Sequence, residues 1–185
     1  MNFIPKEMGW IEVIAGCMFS GKSEELIRRL RRAEIAKKKV VIFKPEIDKR
    51  YDEAYVVSHS YQKMKAINIA NSGEIMKYVE PGTEVVGIDE AQFFDKGIIE
   101  TVKELAKRNI RVIVAGLDQD YRGEPFGPIP ELMAVADQVS KTQAICVKCG
   151  NPATKTKRIV KSDEQILVGA GDIYEARCRG CIDKD

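Results

Sequence analysis

"WIEVIAGCMFSGKSEELIRRL", Trp10 to Leu30, divides into three pieces whose order decides the fold. An apolar, β-branched run comes first and a glycine-bounded loop second. The third piece and the residues just beyond it place Leu26, Ile27, Leu30 and Ala33 at helical intervals. Within the loop, Gly16, Gly21, Lys22 and Ser23 satisfy the pattern G-x-x-x-x-G-K-[ST]. Glycines let the backbone wrap anionic oxygens with its N–H groups turned inward, and the N-terminus of the following helix adds positive potential. In such a loop Lys22 reaches the β- and γ-phosphates of a nucleotide and Ser23 offers its hydroxyl to Mg²⁺, with Ser20 in the same phosphate-holding turn. A chance match has no reason to fall between a strand and a helix, where the mechanism needs it.

Further along, "KVVIFKP" around Val40 to Pro45, "TEVVGIDE" from Thr83 to Glu90 and "IRVIVAGLD" from Ile110 to Asp118 are three more strand-like runs. Helical stretches are expected near Ser72 to Val79, Lys96 to Arg108 and Pro130 to Ala136. This alternation predicts an α/β fold of the phosphate-loop NTPase kind, a mostly parallel sheet flanked by helices. After Thr142 the texture changes to cysteine pairs, glycines and short strands, so the chain divides into residues 1–143, which bind nucleotide, and a small domain over 144–185. No internal repeat or low-complexity tract interrupts this plan.

With 185 residues, 44% of them hydrophobic, the chain can bury one sizeable core. Its formal charge of +2 lacks the basic excess of a protein built to coat nucleic acid, and nucleic acid is not expected as a partner. The run "RRLRRAEIAKKK" reads as a solvated helix face, with Leu30 and Ile35 marking the inward side. "MNFIPKEMGW" lacks the blocks of a secretory signal, and no apolar run approaches the roughly 18 residues of a membrane span. A soluble, cytoplasmic protein without membrane contact is therefore expected, in which cysteines serve as metal ligands or free thiols.

The run Val85 to Ile88 leads into Asp89 and Glu90. Downstream of a phosphate loop, a carboxylate in the place of Asp89 holds Mg²⁺ directly or through water. Glu90 has two readings from its residue type alone: a general base for an attacking hydroxyl, or a helix-start residue favoured by the dipole. An acidic pair of this kind also occurs in ATP-driven nucleic-acid motors, so an ATP-driven nucleic-acid-binding protein with a zinc module is the competing functional class.

Cys146-Val-Lys-Cys149 and Cys178-Arg-Gly-Cys181 form two C-x-x-C pairs able to supply the four thiolates of a structural Zn²⁺ site. Either pair alone could be a redox dithiol; two pairs favour zinc, and four cysteines leave no open coordination position for chemistry. The intervening chain must leave the metal and return as a long loop. Cys17, the fifth cysteine, reads as a small filler whose exposure could make it sensitive to oxidation.

"GCMFSGKS", "DEAQFF", "LDQDYRGEPFGPI" and "QILVGAGDIYEARCRGC", in this order, give the chain an extended resemblance, from Trp10 to Cys181, to the zinc-containing (type II) thymidine kinases. The resemblance implies transfer of the ATP γ-phosphoryl group to the 5′-hydroxyl of thymidine, with deoxyuridine a weaker substrate, in nucleoside salvage. It makes Glu90 the base and gives ATP and Mg²⁺ to Lys22, Ser23 and Asp89, with Asp48, Arg50 and Gln92 also contacting nucleotide. It further implies that the long loop is a lasso closing over the nucleoside, with Gln165, Ile166, Leu167, Val168 and Gly169 binding the base through their backbone. Met18, Leu117 and Tyr174 then surround the thymine methyl, and Phe93, Tyr121 and Phe126 form an aromatic wall. By residue type alone those side chains would be ordinary core. A homotetramer and feedback inhibition by dTTP are implied in the same way. His59 receives no role.

Overall fold

In the computed structural model, residues 8–47, 55–57, 63–161, 167 and 171–184 are described. The chain opens with β1 (Trp10–Gly16), passes through the glycine-bounded loop into α1 (Lys22–Ile35), and returns as β2 (Val40–Pro45). A hairpin of β3 (Tyr55–Val57) and β4 (Lys63–Lys65) follows, then β5 (Ile67–Ile69). A 3₁₀ turn at Ser72–Glu74 leads into the short α2 (Ile75–Tyr78), and β6 (Val85–Ile88) runs into a second 3₁₀ turn at Ala91–Phe93. Next come α3 (Gly97–Lys107), β7 (Arg111–Gly116), α4 (Ile129–Val135) and β8 (Gln138–Thr142). The cysteine-rich end holds two antiparallel pairs, β9 (Ala144–Ile145) with β10 (Pro152–Ala153), and β11 (Lys155–Arg158) with β12 (Tyr174–Arg177).

The main sheet has six strands in the order β5-β2-β6-β7-β1-β8, every neighbouring pair parallel. Parallel strands are buried on both faces, which is why β1, β6 and β7 read as near-continuous apolar runs. On one face α1 packs Leu26, Ile27 and Leu30 against Ile14, Ile42, Val85 and Ile113. On the other, α3 and α4 bury Ile98, Val102, Leu105, Ile129 and Leu132 against Val13, Val86, Ile88 and Val114. Each such aliphatic side chain contributes about 1.5–3 kcal/mol on burial.

Several expectations are corrected. The helix expected over Ser72 to Val79 is a 3₁₀ turn followed by one α-turn. Strands β5 and β8, too short and too polar to stand out, complete the sheet at its two edges. Ile35, expected to face inward, is 81% exposed. Five residues from Leu30 place it about 140° around the helix, off the buried stripe.

The basic run also holds one buried member. Arg29 donates from Nη1 to Glu12 Oε2 at 2.7 Å and from Nη2 to Ser140 Oγ at 2.8 Å, while Arg111 donates to Glu12 Oε1 at 2.6 Å. This network ties α1 to β1, β7 and β8 beneath the sheet. Arg29 Nε also donates to Glu25 Oε1 at 2.7 Å, so Glu12→Gln leaves Arg29 one carboxylate but takes the buried one from between Arg29 and Arg111, and it is expected to cost about 3 kcal/mol in chemical denaturation. An unchanged midpoint would show that Glu25 alone suffices to hold Arg29 in place.

Candidate active site

The chain leaves the C-terminal ends of β1, β6 and β7 into a single cavity, where ligands bind in parallel α/β sheets. Met18, Phe19, Gly21, Lys22, Ser23, Glu90 and Leu117 line it. Gly21, which precedes α1, has φ 79°, and a Cβ there would meet nothing within 4 Å. Backbone conformation, not space, therefore demands glycine at this position. At Gly16 the reason differs: a Cβ would stand 2.5 Å from the Thr142 carbonyl oxygen, because β8 runs close alongside.

The loop is held from within and from its edge. Ser20 Oγ donates to the Cys17 carbonyl at 2.8 Å and shares a 2.9 Å hydrogen bond with Thr142 Oγ1. Lys22 Nζ donates to the same Cys17 carbonyl at 2.7 Å, which folds its ammonium across the loop. Phe19 takes φ 64° and Glu90 φ 50°, left-handed conformations that cost non-glycine residues of order 1–3 kcal/mol and that concentrate at functional sites.

Asp89 and Glu90 follow β6 and diverge in use. Ser23 Oγ donates to Asp89 Oδ1 at 3.3 Å, so a hydroxyl and a carboxylate from two elements meet at the start of α1. This oxygen donor set fits Mg²⁺, which favours one or two carboxylates with the rest of its shell left to water and phosphate. Glu90, turned by its left-handed backbone, lines the cavity and accepts from Gln92 Nε2 at 2.5 Å. Gln92 Oε1 in turn accepts the Leu117 N–H at 3.0 Å, so a buried side-chain amide locks the ends of β6 and β7 together.

Beside the loop, Met18, Leu117, Phe126 and Tyr174 form one buried apolar cluster, with Phe93, Tyr121 and Leu167 packed against it. Phe93 and Phe126 meet edge to face, centroids 5.8 Å apart. The fold thus gathers residues that lie far apart in sequence. Asp48, Arg50, Gln165, Ile166, Val168 and Gly169, as well as His59, lie outside the described residues.

The four paired cysteines also converge: Sγ atoms of Cys146, Cys149, Cys178 and Cys181 all lie within 4.8 Å of one another, with Cys149 and Cys178 at 3.5 Å. A zinc tetrahedron with arms of ~2.3 Å has edges of ~3.8 Å, so the spacing suits that ion. Burial raises the Cys146 thiol, but N–H groups of Cys178, Lys148 and Cys149 outweigh it and bring it to about 6. Hydrogen bonds with Cys149 and Cys178 push Cys181 up to about 12. Sulfurs this close cannot all ionise without a cation among them.

Cys17 corrects an expectation. It is buried, its thiol is pushed up by that burial, and it donates to the Ala153 carbonyl at 3.3 Å. It packs in the shell of Ala144, Ala153 and Ala176 around the cysteine cluster, so the phosphate loop and the cysteine-rich end share one small core.

Sequence reasoning missed the role of β11. Lys155 Nζ donates to Gln119 Oε1 at 2.7 Å, the Met18 N–H donates to Thr156 Oγ1 at 3.0 Å, and the Arg158 guanidinium stands 3.7 Å from the Tyr121 ring centroid. "KTKR" carries a strand signal at most, with nothing to show that its partners lie at positions 18 to 121.

Among the described residues no helix is long and apolar enough to cross a membrane. The thymidine kinase family model matches residues 9–182, from the residue before β1 through all four clustered cysteines. That donor set is compatible with structural zinc and with the zinc-containing type II branch. Because the match takes in the phosphate loop, the acidic pair and the cysteine cluster together, the chain belongs to the thymidine kinase family, ATP-dependent nucleoside kinases that act as phosphotransferases.

Proposed function

We propose that this protein transfers the ATP γ-phosphoryl group to the 5′-hydroxyl of thymidine, giving dTMP and ADP, with Glu90 as general base. One observation carries the reading: a single cavity is lined by the phosphate-loop residues Gly21, Lys22 and Ser23, by the Glu90 carboxylate, and by Met18 and Leu117 of the apolar cluster. Phosphate donor and nucleoside can therefore meet with a carboxylate between them.

In this mechanism the loop N–H groups and Lys22, swung from the Cys17 carbonyl to the phosphates, hold the transferring group. Gly16, Ser20 and Gly21 keep the loop in shape. Ser23 and Asp89 would hold Mg²⁺, which supplies charge neutralisation at the β- and γ-oxygens when bound. Gln92 aims Glu90, whose carboxylate takes the proton as the 5′-oxygen bonds to the γ-phosphorus and the bond to the β-phosphate oxygen breaks. Asp48 and Arg50 contact the nucleotide in this reading.

Met18, Leu117 and Tyr174 enclose the 5-methyl group, and Phe93, Tyr121 and Phe126 wall the base. A methyl-sized apolar gap makes deoxyuridine weaker, by the 10–200-fold that a lost methyl group commands. Gln165 to Gly169 bind the base through backbone groups as a lasso that closes the site to water.

Residues 144–185 form a small zinc-binding domain whose core takes in Cys17 of the phosphate loop, and in it Cys146, Cys149, Cys178 and Cys181 would hold zinc and so pin both ends of that lasso. Homotetramer assembly, dTTP inhibition and a cytoplasmic place in nucleoside salvage complete the reading, on family membership.

The test is coupled ADP release from ATP and Mg²⁺ with thymidine, deoxycytidine or single-stranded DNA offered separately. Release is expected with thymidine alone. Release stimulated only by DNA would support the ATP-driven nucleic-acid-binding protein instead.

A further inference from the structure

Two glycines stand against Gln92, the residue that links the Glu90 carboxylate to the end of β7. Gly127, in the loop between β7 and α4, has φ 52°, and a Cβ there would lie 2.2 Å from the Gln92 carbonyl oxygen and 3.0 Å from the carbonyl carbon. Gly116, the last residue of β7, meets the other end of the same residue: a Cβ there would lie 2.9 Å from Gln92 Oε1. The backbone and the side-chain amide of Gln92 are thus each approached at a distance that only a missing side chain permits.

Gln92 is buried, and its amide is engaged on both sides. The Leu117 N–H can only donate, so the amide oxygen faces it and the NH₂ is left for Glu90. The Gly127 side of the contact is braced. The Phe126 N–H donates to the Asp118 carbonyl at 3.2 Å, and Ile129 and Leu132 of α4 are fully buried. The Ala91–Phe93 turn, by contrast, follows Glu90 at the border of the cavity, so bulk added at Gly127 is relieved by displacing that turn.

We propose that Gly127 and Gly116 are positioning residues for phosphoryl transfer, which set the aim of Glu90 by leaving room for the backbone and the amide of Gln92. The proposal rests on the reading of Glu90 as general base. It places the effect in the chemical step, where a displacement of about 1 Å costs about 10²-fold. The phosphate loop and the apolar cluster, which would hold the two substrates, lie outside these contacts with Gln92 and keep their shape.

The test is steady-state kinetics with ATP, Mg²⁺ and thymidine on Gly127→Ala, on Gly116→Ala combined with Ile129→Val, and on Gly82→Ala, with melting temperatures measured alongside. Ile129→Val removes the Cδ1 that would otherwise stand 2.4 Å from the new Cβ, leaving the Gln92 amide as the group that is pushed. Gly82 precedes β6, at the end of the strand away from the cavity, and has φ 84° with nothing within 4 Å of a Cβ. Alanine there carries backbone strain alone.

Gly127→Ala is expected to lower kcat about 10²-fold and Gly116→Ala/Ile129→Val about tenfold, with both KM values within about threefold of the parent. Gly82→Ala should lower the melting temperature and leave kcat within about twofold. In a Glu90→Gln background, Gly127→Ala should add about threefold at most, because a base already removed cannot be misaimed. Should Gly127→Ala not fold, the Gly116→Ala/Ile129→Val variant carries the test by itself.

An unchanged kcat in either variant that folds, a rise in thymidine KM with kcat held, an equal fall of kcat in Gly82→Ala, or fully multiplicative effects with Glu90→Gln would each overturn the proposal. Failure of the underlying reading shows separately, as a Glu90→Gln single variant that turns over within about tenfold of the parent.

Discussion

Glu90→Gln is expected to lower thymidine-dependent turnover by about 10²–10⁴-fold while leaving ATP binding within about threefold of the parent. The substitution keeps side-chain length and the left-handed backbone demand at φ 50°. It also leaves an amide oxygen to accept the Gln92 donor that now reaches Glu90 Oε2. What disappears is a group able to take the proton of the 5′-hydroxyl. Glu90→Asp sharpens the test, because aspartate suits a left-handed backbone better than glutamate does but withdraws the carboxylate by about one bond length. An intermediate loss for aspartate would report distance to the substrate; at least equal loss for Gln follows if the proton must be removed. Turnover of Glu90→Gln within tenfold of the parent, with ATP bound normally, would remove Glu90 from the base role.

Cys146→Ser is expected to abolish stoichiometric zinc, lower the melting transition by at least about 10 °C and raise the thymidine KM about tenfold or more. Cys146 is buried among the other sulfurs, and serine there offers a poor ligand to an ion that needs four. The apolar shell of the cluster includes Ala153 and Ala176, of β10 and β12, and Cys17 of the phosphate loop. Loss of the metal would loosen β11 with its neighbours, and with it the Thr156 hydroxyl that receives the Met18 N–H. Chelation of the parent enzyme should reproduce the effect. Metal analysis, calorimetric melting and kinetics on one preparation decide the matter: a zinc-free variant with unchanged melting and thymidine KM would separate the cluster from the pocket.

How far the sequence reached depends on the kind of signal. β1, the phosphate loop and α1 were legible because each glycine and the lysine answer to a mechanism with fixed spacing, and β6 and β7 because buried parallel strands are apolar throughout. β8 was missed because "QVSKT" is an edge strand with its outward residues exposed, a pattern that reads as linker. Ile35 misled because residue type said core while its angle around α1 said solvent. In the candidate site, the convergence of Met18, Leu117, Phe126 and Tyr174 was anticipated through family resemblance, since nothing local tells a pocket wall from a core. Arg158 and Thr156 were illegible for a different reason: their partners at Tyr121 and Met18 come from other elements, and only the folded chain brings them together.

The strand order has a kinetic side. β1 finds its hydrogen-bonded neighbours in β7 and β8, with Trp10 paired to Arg111 and Gly16 to Thr142. On a ribosome adding about 5–20 residues per second, the first apolar strand waits about 5–20 s for its first partner. Until then both edges of "WIEVIAG" stand unpaired, able to template contact with another nascent chain. The phosphate loop, which hangs from the end of that strand, can acquire its shape only after some three quarters of the protein has been synthesised. Yield of native enzyme should therefore respond to translation speed and chaperone supply more than its final stability would suggest.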